Sequence, residues 1–180
     1  NVLREQFETN VFGTQELTNL VIPYMRKQKS GRIIYNSSIL GFVAMSYRGA
    51  YNASKFAIEG LADTLRLELY ESGVDVVLIE PGPIKSDFRK NALAKFLEHI
   101  DQEHSAHKEV YAKTLKRLQK TGDAPFTLGA EAVLEVLVKA IEARKPKARY
   151  AVTTPTKLFA VLKRLLPTSF MDAIARKAGE

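Results

Sequence analysis

The sequence contains no cysteine and no tryptophan, and it has no long apolar run. Without cysteine the chain has neither a disulfide framework nor a thiolate that could bind a metal or attack a substrate. No stretch approaches the roughly 20 apolar residues that a membrane-spanning helix needs, and the first residues lack the pattern of a secretory signal. These absences are compatible with the reducing cytoplasm, which is the location we expect.

The composition is that of a globular domain with an uneven charge. A chain of 180 residues is long enough for one domain that buries roughly 70% of its unfolded surface. The hydrophobic fraction of 46% excludes a disordered chain. Of the net charge of +7, most lies beyond position 140, where nine basic residues accompany three acidic ones. This basic quarter is either a solvated face or a surface for anionic lipid or nucleic acid.

One stretch, residues 32–60, has the pattern of a strand followed by a helix. The first six of these residues have the β-branched and aromatic density of a buried strand, and from Arg48 onward apolar residues recur at helical spacing. Tyr51 and Lys55 are four residues apart and therefore leave the same face of that helix. A nearby ammonium stabilises a phenolate, so we expect Lys55 to lower the pKa of Tyr51 from its ordinary value of about 10.

The spacing to an upstream serine gives this pair its significance. In a chain with seven tyrosines, one Tyr-x-x-x-Lys pair is close to what chance supplies, and an exposed helical pair is the alternative. Ser38, taken alone, is typical of a turn. However, it ends the strand thirteen residues before Tyr51, and a hydroxyl at the carboxyl end of a strand faces the crevice where open α/β sheets bind ligands. The combination indicates a catalytic site.

Two flanking features complete a recognisable set. Asn10, in the segment ETNVFG, lies in the helix before the strand, and a Pro-Gly-Pro-Ile segment at positions 81–84 follows the next strand. With these features the chain resembles the short-chain dehydrogenase/reductase family from about Glu5 to Tyr150. The resemblance implies that the catalytic residues are Asn10, Ser38, Tyr51 and Lys55.

The resemblance also implies a role for each of these side chains. Tyr51 would exchange a proton with the substrate oxygen, while the Ser38 hydroxyl would hydrogen-bond that oxygen. Lys55 would lower the phenol pKa and bind the ribose hydroxyls of the cofactor. Asn10 would hold a water at a bend in its helix and so link Lys55 to solvent; the alternative for Asn10 is a helical asparagine that bonds to nearby backbone.

The implied cofactor is NAD or NADP, and the implied substrate is a small alcohol, aldehyde or ketone. Apolar stripes on the helices predicted for residues 87–122 would suit a lipophilic substrate, and packing of these stripes on the domain is the alternative. The residues expected to contact the cofactor are Tyr51, Lys55, Pro81, Gly82, Ile84 and Ser86. At Ser86 the family more often has threonine, and capping of the helix that starts near Asp87 is the alternative role. No metal site is expected, because the three histidines of residues 99–107 lack both thiolate partners and HExxH spacing.

The order of predicted elements defines the fold class. The strands are predicted at residues 32–37, 74–80 and 149–153, and the helices between them at residues 48–73 and 130–141. This order predicts an α/β fold, the second half of a doubly wound parallel sheet of Rossmann type with three layers, α/β/α. We expect a single partial domain over residues 1–180 that begins with a long helix over residues 3–28, interrupted at Gly13 and bent at Pro23.

Two segments outside this core are predicted to be helical additions. Residues 87–122 are unusually long for a connection and fit two helices, which indicates a substrate lid. Residues 155–180 fit two further helices divided by Pro167. Packing of this tail on its own domain or on a neighbouring subunit is favoured over contact with a membrane surface.

A glycine-rich phosphate-binding turn, which the family carries in its first half, is absent from the sequence. We therefore expect a C-terminal piece of a longer protein, one that binds the cofactor weakly by itself. A homodimer or homotetramer is expected from the resemblance. The competing hypothesis is a non-catalytic module that binds a surface or partner through its basic quarter; nucleic acid is not an expected partner, since stacking aromatics are not interleaved with the basic residues.

Overall fold

The computed structural model describes residues 2–178 and is built around a parallel sheet of three strands. Strand β1 spans Gly31–Asn36, β2 spans Val74–Glu80 and β3 spans Arg149–Ala151. The spatial order is β1-β2-β3, so the strands lie side by side in chain order. Among the described residues β1 pairs with β2 alone, which leaves its other edge without a partner strand.

Helices lie on both sides of this sheet, and their bounds follow the predicted order of elements. The helices are α1 (Val2–Phe7), α2 (Gly13–Lys27), α3 (Gly49–Glu68), α4 (Phe88–His99), α5 (Lys108–Gln119), α6 (Glu131–Glu142), α7 (Thr154–Leu165) and α8 (Thr168–Ala178). A π-helical segment, Glu8–Phe12, joins α1 to α2, and a 3-10 turn, Ile39–Gly41, follows β1. The three-layer α/β/α arrangement predicted from the sequence is confirmed.

The main core lies between the sheet and helices α2 and α3. Because side chains alternate along a strand, every second residue of β1 and β2 faces these helices. Ile33, Tyr35, Val76 and Leu78 pack there against Ile58 and other apolar residues of α3. Burial of this face fixes α3 over the carboxyl ends of the strands and thereby positions the residues of its first turns.

The predicted long first helix is interrupted next to Gly13, as expected, by the π-helical segment that contains Asn10 and ends at Phe12. Helix α2 continues through Pro23 to Lys27, so the proline does not end the helix. Proline removes one internal hydrogen bond. On either side of it, Ile22 and Met25 pack against the core, and this packing offsets the loss.

The turn that follows α3 requires a glycine at position 73. Gly73 has a φ of +81°, and a Cβ there would collide with the carbonyl oxygen of Lys29. The Gly31 amide donates to the Gly73 carbonyl at 3.2 Å. The close approach therefore aligns the starts of β1 and β2, and α3 itself ends at Glu68 and not near Gly73 as predicted.

The two additions outside the core are helical, as predicted. Helices α4 and α5 occupy the connection at residues 87–122, and α7 and α8 form the tail on either side of Pro167. The tail packs on the domain itself, because Phe159 and Met171 are buried against Ile39, Leu40 and Val43. Within residues 2–178, no helix has both the length and the apolar character that crossing a membrane would take.

Candidate active site

The carboxyl ends of β1 and β2 are joined by backbone hydrogen bonds where the predicted site lies. The Ser37 amide donates to the Ile79 carbonyl at 2.8 Å, and the Ile39 amide donates to the Pro81 carbonyl at 2.8 Å. Ser38 lies between these two bonds and is 8% exposed. The loop that carries Ser38 and the Pro-Gly loop are therefore held side by side at one edge of the sheet.

Ser38 serves as a cap and also faces the phenol of Tyr51. Its Oγ accepts a hydrogen bond from the Leu40 amide at 3.1 Å, so the turn role suggested by the sequence is present. Burial raises the pKa of Tyr51, and a hydrogen bond with the Ser38 hydroxyl lowers it in part. The net direction of this pKa shift is upward, opposite to the lowering by Lys55 that the sequence predicts, and Ser38 is the group that opposes the effect of burial.

Lys55 lies one helical turn beyond Tyr51 and points back across the tyrosine ring. Its Nζ is 5.8 Å from the centroid of that ring and donates to the carbonyl of Asn36, at the end of β1, at 2.9 Å. Burial lowers the pKa of Lys55, while the carboxylate of Glu59 raises it. Ser38, Tyr51 and Lys55 thus converge, as the spacing of the three residues predicts.

Asn10 lies in the π-helical segment and reaches the catalytic helix through Ser54. Its Nδ2 donates to Ser54 Oγ at 3.0 Å, and Ser54 Oγ donates to the carbonyl of Tyr51 at 2.9 Å. Ser54 is completely buried. The bend that the resemblance implied is therefore a wide helical turn, and its asparagine bonds to a side chain 44 residues away and not to nearby backbone.

A cavity of about 200 Å³ lies beside this asparagine. Its lining includes Asn10 and Thr14 from the first helices, Asn36 from β1, and Lys55 and Ile58 from α3. The lining mixes amide, hydroxyl and ammonium groups with the apolar side chains of Ile34 and Ile58. Asn10 and Lys55 therefore border the same cavity.

The Pro-Gly loop is packed tightly and leads directly to the lid. A Cβ at Gly82 would collide with Thr153 Oγ1 and lie 2.6 Å from Thr156 Oγ1, two hydroxyls that are both completely buried. Ile84 pairs with Leu128 in an isolated bridge. Ser86 Oγ accepts from the Phe88 amide at 3.3 Å, while Asp87 occupies the N-cap position of α4.

Phe88, the first residue of α4, contacts the predicted catalytic tyrosine. The rings of Phe88 and Tyr51 meet edge to face with centroids 5.4 Å apart. Tyr51 also packs against the cluster of Ile39, Leu40, Val43, Phe159 and Met171. The phenol therefore lies between polar groups of the sheet edge and apolar groups of the lid and tail.

Residues 1–96 match the family model of the short chain dehydrogenases. The chain belongs to this family. It is 41% identical over 173 residues to the uncharacterized oxidoreductase YbbO of Escherichia coli K12, a match that covers 96% of this chain and 58% of that protein. The resemblance predicted from the motifs is confirmed.

Two further relatives of this short-chain dehydrogenase have more specific names. It is 35% identical over 182 residues to the NADPH-dependent 3-dehydrocapnine reductase of Ornithobacterium rhinotracheale, covering 97% of this chain and 62% of the relative. It is 33% identical over 175 residues to the 3-ketodihydrosphingosine reductase of Bacteroides thetaiotaomicron, covering 95% and 62%. The chain thus spans about six-tenths of the length of these relatives.

Solved structures show the same fold. A short-chain dehydrogenase from Streptomyces avermitilis superposes with a TM-score of 0.69 at 23% identity, covering 98% of this chain and 62% of that one. One from Burkholderia phymatum, in complex with NAD, gives 0.65 at 24% identity, covering 86% and 54%. At this identity the likeness concerns the fold.

Three residues around the site of this short-chain dehydrogenase were not predicted from the sequence. Ser54, Glu59 and Arg149 have no motif of their own, and Arg149 lies 90 residues from Glu59 along the chain. The available signal was helical spacing: Glu59 follows Lys55 by four residues, on the same face of α3. Ser54 directly precedes Lys55, but nothing in the sequence showed that it would face Asn10.

A larger cavity lies on the lid, away from these residues. Its volume is about 440 Å³, and its lining consists of Ile100, Asp101, Gln102, Glu103, Lys108 and Ala112. None of the predicted catalytic residues is part of that lining. Within residues 2–178, no group of three or more histidine, aspartate or glutamate side chains is arranged to hold a metal ion.

Proposed function

We propose that this chain carries the catalytic half of a NAD- or NADP-dependent oxidoreductase that interconverts an alcohol and a carbonyl compound. The observation that carries the proposal is the convergence of the Ser38 hydroxyl, the Tyr51 phenol and the Lys55 ammonium at the carboxyl edge of the sheet. This edge is where open α/β sheets bind their ligands. A hydroxyl, a phenol and a cation at one point are suited to stabilising and protonating a substrate oxygen.

The residues present fit the nicotinamide end of the cofactor. Lys55 has three donors, one of which is used on the Asn36 carbonyl, so the others are suited to the hydroxyls of a ribose. Pro81, Gly82, Ile84 and Ser86 follow β2 and are held beside Ser38 by the bond from Ile39 to Pro81. Bound there, the nicotinamide would supply or accept the hydride.

The proton is handled by Tyr51. In carbonyl reduction the phenol gives its proton to the substrate oxygen, and in alcohol oxidation the phenolate takes it back. Ser38 would turn its hydrogen from the Tyr51 oxygen to the same substrate oxygen, while its Oγ accepts from the Leu40 amide. Lys55, a cation close to the ring, stabilises the phenolate and so opposes the effect of burial on Tyr51.

The cavity beside Asn10 supplies a route for the proton between Lys55 and solvent. Its volume of about 200 Å³ has room for several water molecules, and its amide, hydroxyl and ammonium groups offer the partners that such waters need. Asn10, fixed by Ser54, is positioned to orient one of them. The π-helical turn is what carries this side chain into the cavity wall.

The surroundings of Tyr51 support a lipophilic carbonyl substrate. Phe88 covers one side of the ring, and the cluster around Phe159 and Met171 packs near it. Residues 87–122 would act as the lid over this space. Two relatives are named as reductases, one of them of a 3-keto compound, which favours carbonyl reduction as the working direction.

The proposal is tested by assaying the full-length protein for consumption of NADH and NADPH with a panel of apolar ketones of increasing chain length. We expect turnover that requires one of the two cofactors and improves with apolar chain length. The matched control is an aldehyde and ketone panel that carries charged groups near the carbonyl, which the apolar surroundings should exclude. Cofactor binding without turnover on any carbonyl or alcohol would contradict the proposal and favour the non-catalytic module.

A further inference from the structure

Arg149 joins the catalytic helix to the sheet through three carboxylates. Its guanidinium binds Glu59 and Glu80 through NH1, the latter at 2.7 Å, and Asp63 through NH2 at 2.6 Å. Glu59 and Asp63 lie on α3, Glu80 ends β2 and Arg149 begins β3. Glu59 and Glu80 are only 6% and 3% exposed, so the cluster is an interior connection and not a surface ion pair.

Glu59 continues the row of catalytic side chains along α3. Tyr51, Lys55 and Glu59 follow one another at intervals of four residues, which places them on one face at successive turns. The Glu59 carboxylate is closed in by the turn after β1. A Cβ at Gly41 would lie 2.8 Å from Glu59 Cγ and 2.6 Å from Ser37 Oγ, so this turn leaves Glu59 little freedom.

The position of Glu59 matters for the charge of its neighbour. Burial lowers the pKa of Lys55, and Glu59 is the group that raises it again. The roles proposed for Lys55, stabilising the phenolate and binding the ribose, both need the protonated ammonium. A carboxylate fixed one turn away is therefore suited to keeping the amine charged in its half-buried position.

We propose that Glu59, held by Arg149, is a positioning residue that keeps Lys55 protonated and aimed at Tyr51 and the Asn36 carbonyl. The inference rests on the proposed function, since it concerns how the same site works. Glu59 touches neither substrate nor cofactor in this account and acts through Lys55. Arg149 acts through Glu59 by holding the carboxylate in place.

Charged and titratable groups face this pair from every neighbouring element. Tyr51 and the polar wall formed by Asn10 and Asn36 face Lys55. The groups that face the carboxylate cluster are Ser37 after β1, Glu80 on β2, Arg149 on β3, Arg66 on α3 and Arg164 on α7. Burial raises the pKa of Glu59 and of Glu80, and Arg149 lowers both.

The test is the pH dependence of alcohol oxidation by the full-length protein with its cofactor, compared between the wild type and Glu59→Gln. The substitution removes the charge and keeps the shape of the side chain. Because Lys55 then loses its proton at lower pH, we expect the alkaline limit of kcat/KM to move down by about 1 pH unit. At a pH above the new limit, kcat/KM of Glu59→Gln should be about tenfold below that of the wild type, and near neutrality the two values should differ little.

The matched control is Asp63→Asn. It also removes a carboxylate from Arg149, but Asp63 lies two turns beyond Lys55, so the alkaline limit should stay at its wild-type value. An unmoved alkaline limit in Glu59→Gln, or an equal movement of that limit in Asp63→Asn, would overturn the inference.

Glu59→Asp retains the charge on a shorter stem and should give an alkaline limit between those of the wild type and Glu59→Gln. Should Glu59→Gln fail to fold, Glu59→Asp still tests the inference. An alkaline limit of kcat/KM in Glu59→Asp equal to that of the wild type would then overturn it.

The two proposals fail in different ways. A wild-type protein without nicotinamide-dependent turnover would overturn the proposed function. If the wild-type protein turns over and the alkaline limit in both Glu59→Gln and Glu59→Asp equals that of the wild type, only the role of Glu59 is overturned.

Discussion

At the scale of single residues, the bond from Asn10 to Ser54 links the π-helical turn to the catalytic helix. Asn10 Nδ2 donates to Ser54 Oγ at 3.0 Å, and Ser54 is completely buried. A buried polar group that loses its partner keeps the cost of its desolvation. The same bond therefore holds the turn and fixes the backbone of Tyr51, whose carbonyl accepts from Ser54.

We predict that Asn10→Ala and Ser54→Ala are coupled in their effects on stability. Each single substitution should lower the free energy of unfolding, and the double variant should cost less than the sum, with a coupling energy of about 1 kcal/mol. Chemical denaturation of the full-length protein and its three variants measures this cycle. The control is a second cycle in which Gln15→Ala replaces Asn10→Ala. If the changes in the free energy of unfolding caused by Asn10→Ala and Ser54→Ala simply add, the bond between the two side chains contributes nothing to stability.

Some residues of the site can be recognised from the sequence, and others become apparent only in the structure. Ser38, Tyr51 and Lys55 follow from spacing, because a strand end and a helical turn fix their relative positions. Glu59 and Arg149 do not, since their contact joins parts of the chain 90 residues apart and depends on how α3 crosses the sheet. The effect of burial on Tyr51 was likewise outside the reach of the sequence, because it depends on Phe88 and on the tail.

At the scale of elements, the Pro-Gly loop is fixed by its fit against the start of α7. Gly82 faces the hydroxyls of Thr153 and Thr156, which are 2.9 Å apart and completely buried. A side chain at position 82 has no space. The loop, β3 and α7 must therefore keep their mutual positions for the site to form.

We predict that Gly82→Ala destabilises the protein by about 1–3 kcal/mol, because its Cβ overlaps two buried hydroxyls. Gly60→Ala is the matched control: Gly60 lies inside α3 with open space around its missing Cβ, so alanine there should stabilise the protein by about 0.5–1 kcal/mol. Thermal or chemical unfolding measures both. Equal effects of the two substitutions would contradict the packing described for Gly82.

Most elements could be predicted because their apolar periodicity is strong. The strands β1 and β2 and the helices α3 and α6 follow their hydrophobic patterns closely. The π-helical turn was missed as such, since it differs from an α-helix by one residue and no residue type marks it. Helix α2 continues through Pro23, where packing of Ile22 and Met25 on the core offsets one lost hydrogen bond.

At the scale of the whole molecule, the sheet has two edges without a partner strand within the described residues, the outer edges of β1 and β3. Unpaired strand edges attract further strands. The site lies at the carboxyl ends of β1 and β2, and the glycine-rich turn that would receive the pyrophosphate of the cofactor is absent from the sequence.

We predict that residues 1–180 alone bind NADH and NADPH with dissociation constants weaker than about 1 mM, whereas the full-length protein binds one of them at least tenfold more tightly. The reason is that the groups in this chain reach the nicotinamide end and leave the pyrophosphate without backbone amides. Isothermal titration of residues 1–180 and of the full-length protein with NADH and NADPH measures these dissociation constants. Submillimolar binding by residues 1–180 would contradict the account.

Self-association as a dimer or tetramer stays a prediction. Exposed leucines on α2 and α3 support it: Leu17, Leu20 and Leu67 are 62%, 64% and 70% exposed. Burial of such side chains against a second copy of the chain would stabilise an assembly. Sedimentation of the full-length protein measures the assembly.

The central claim is that Tyr51 exchanges the proton with the substrate. Its most direct test is steady-state turnover of the full-length Tyr51→Phe variant, which keeps the ring that packs on Phe88 and removes the hydroxyl. We expect kcat to fall by about 10²–10⁴ with cofactor binding unchanged, while Tyr70→Phe, at a tyrosine 78% exposed, keeps wild-type turnover. Turnover of Tyr51→Phe within a few-fold of wild type would contradict the claim.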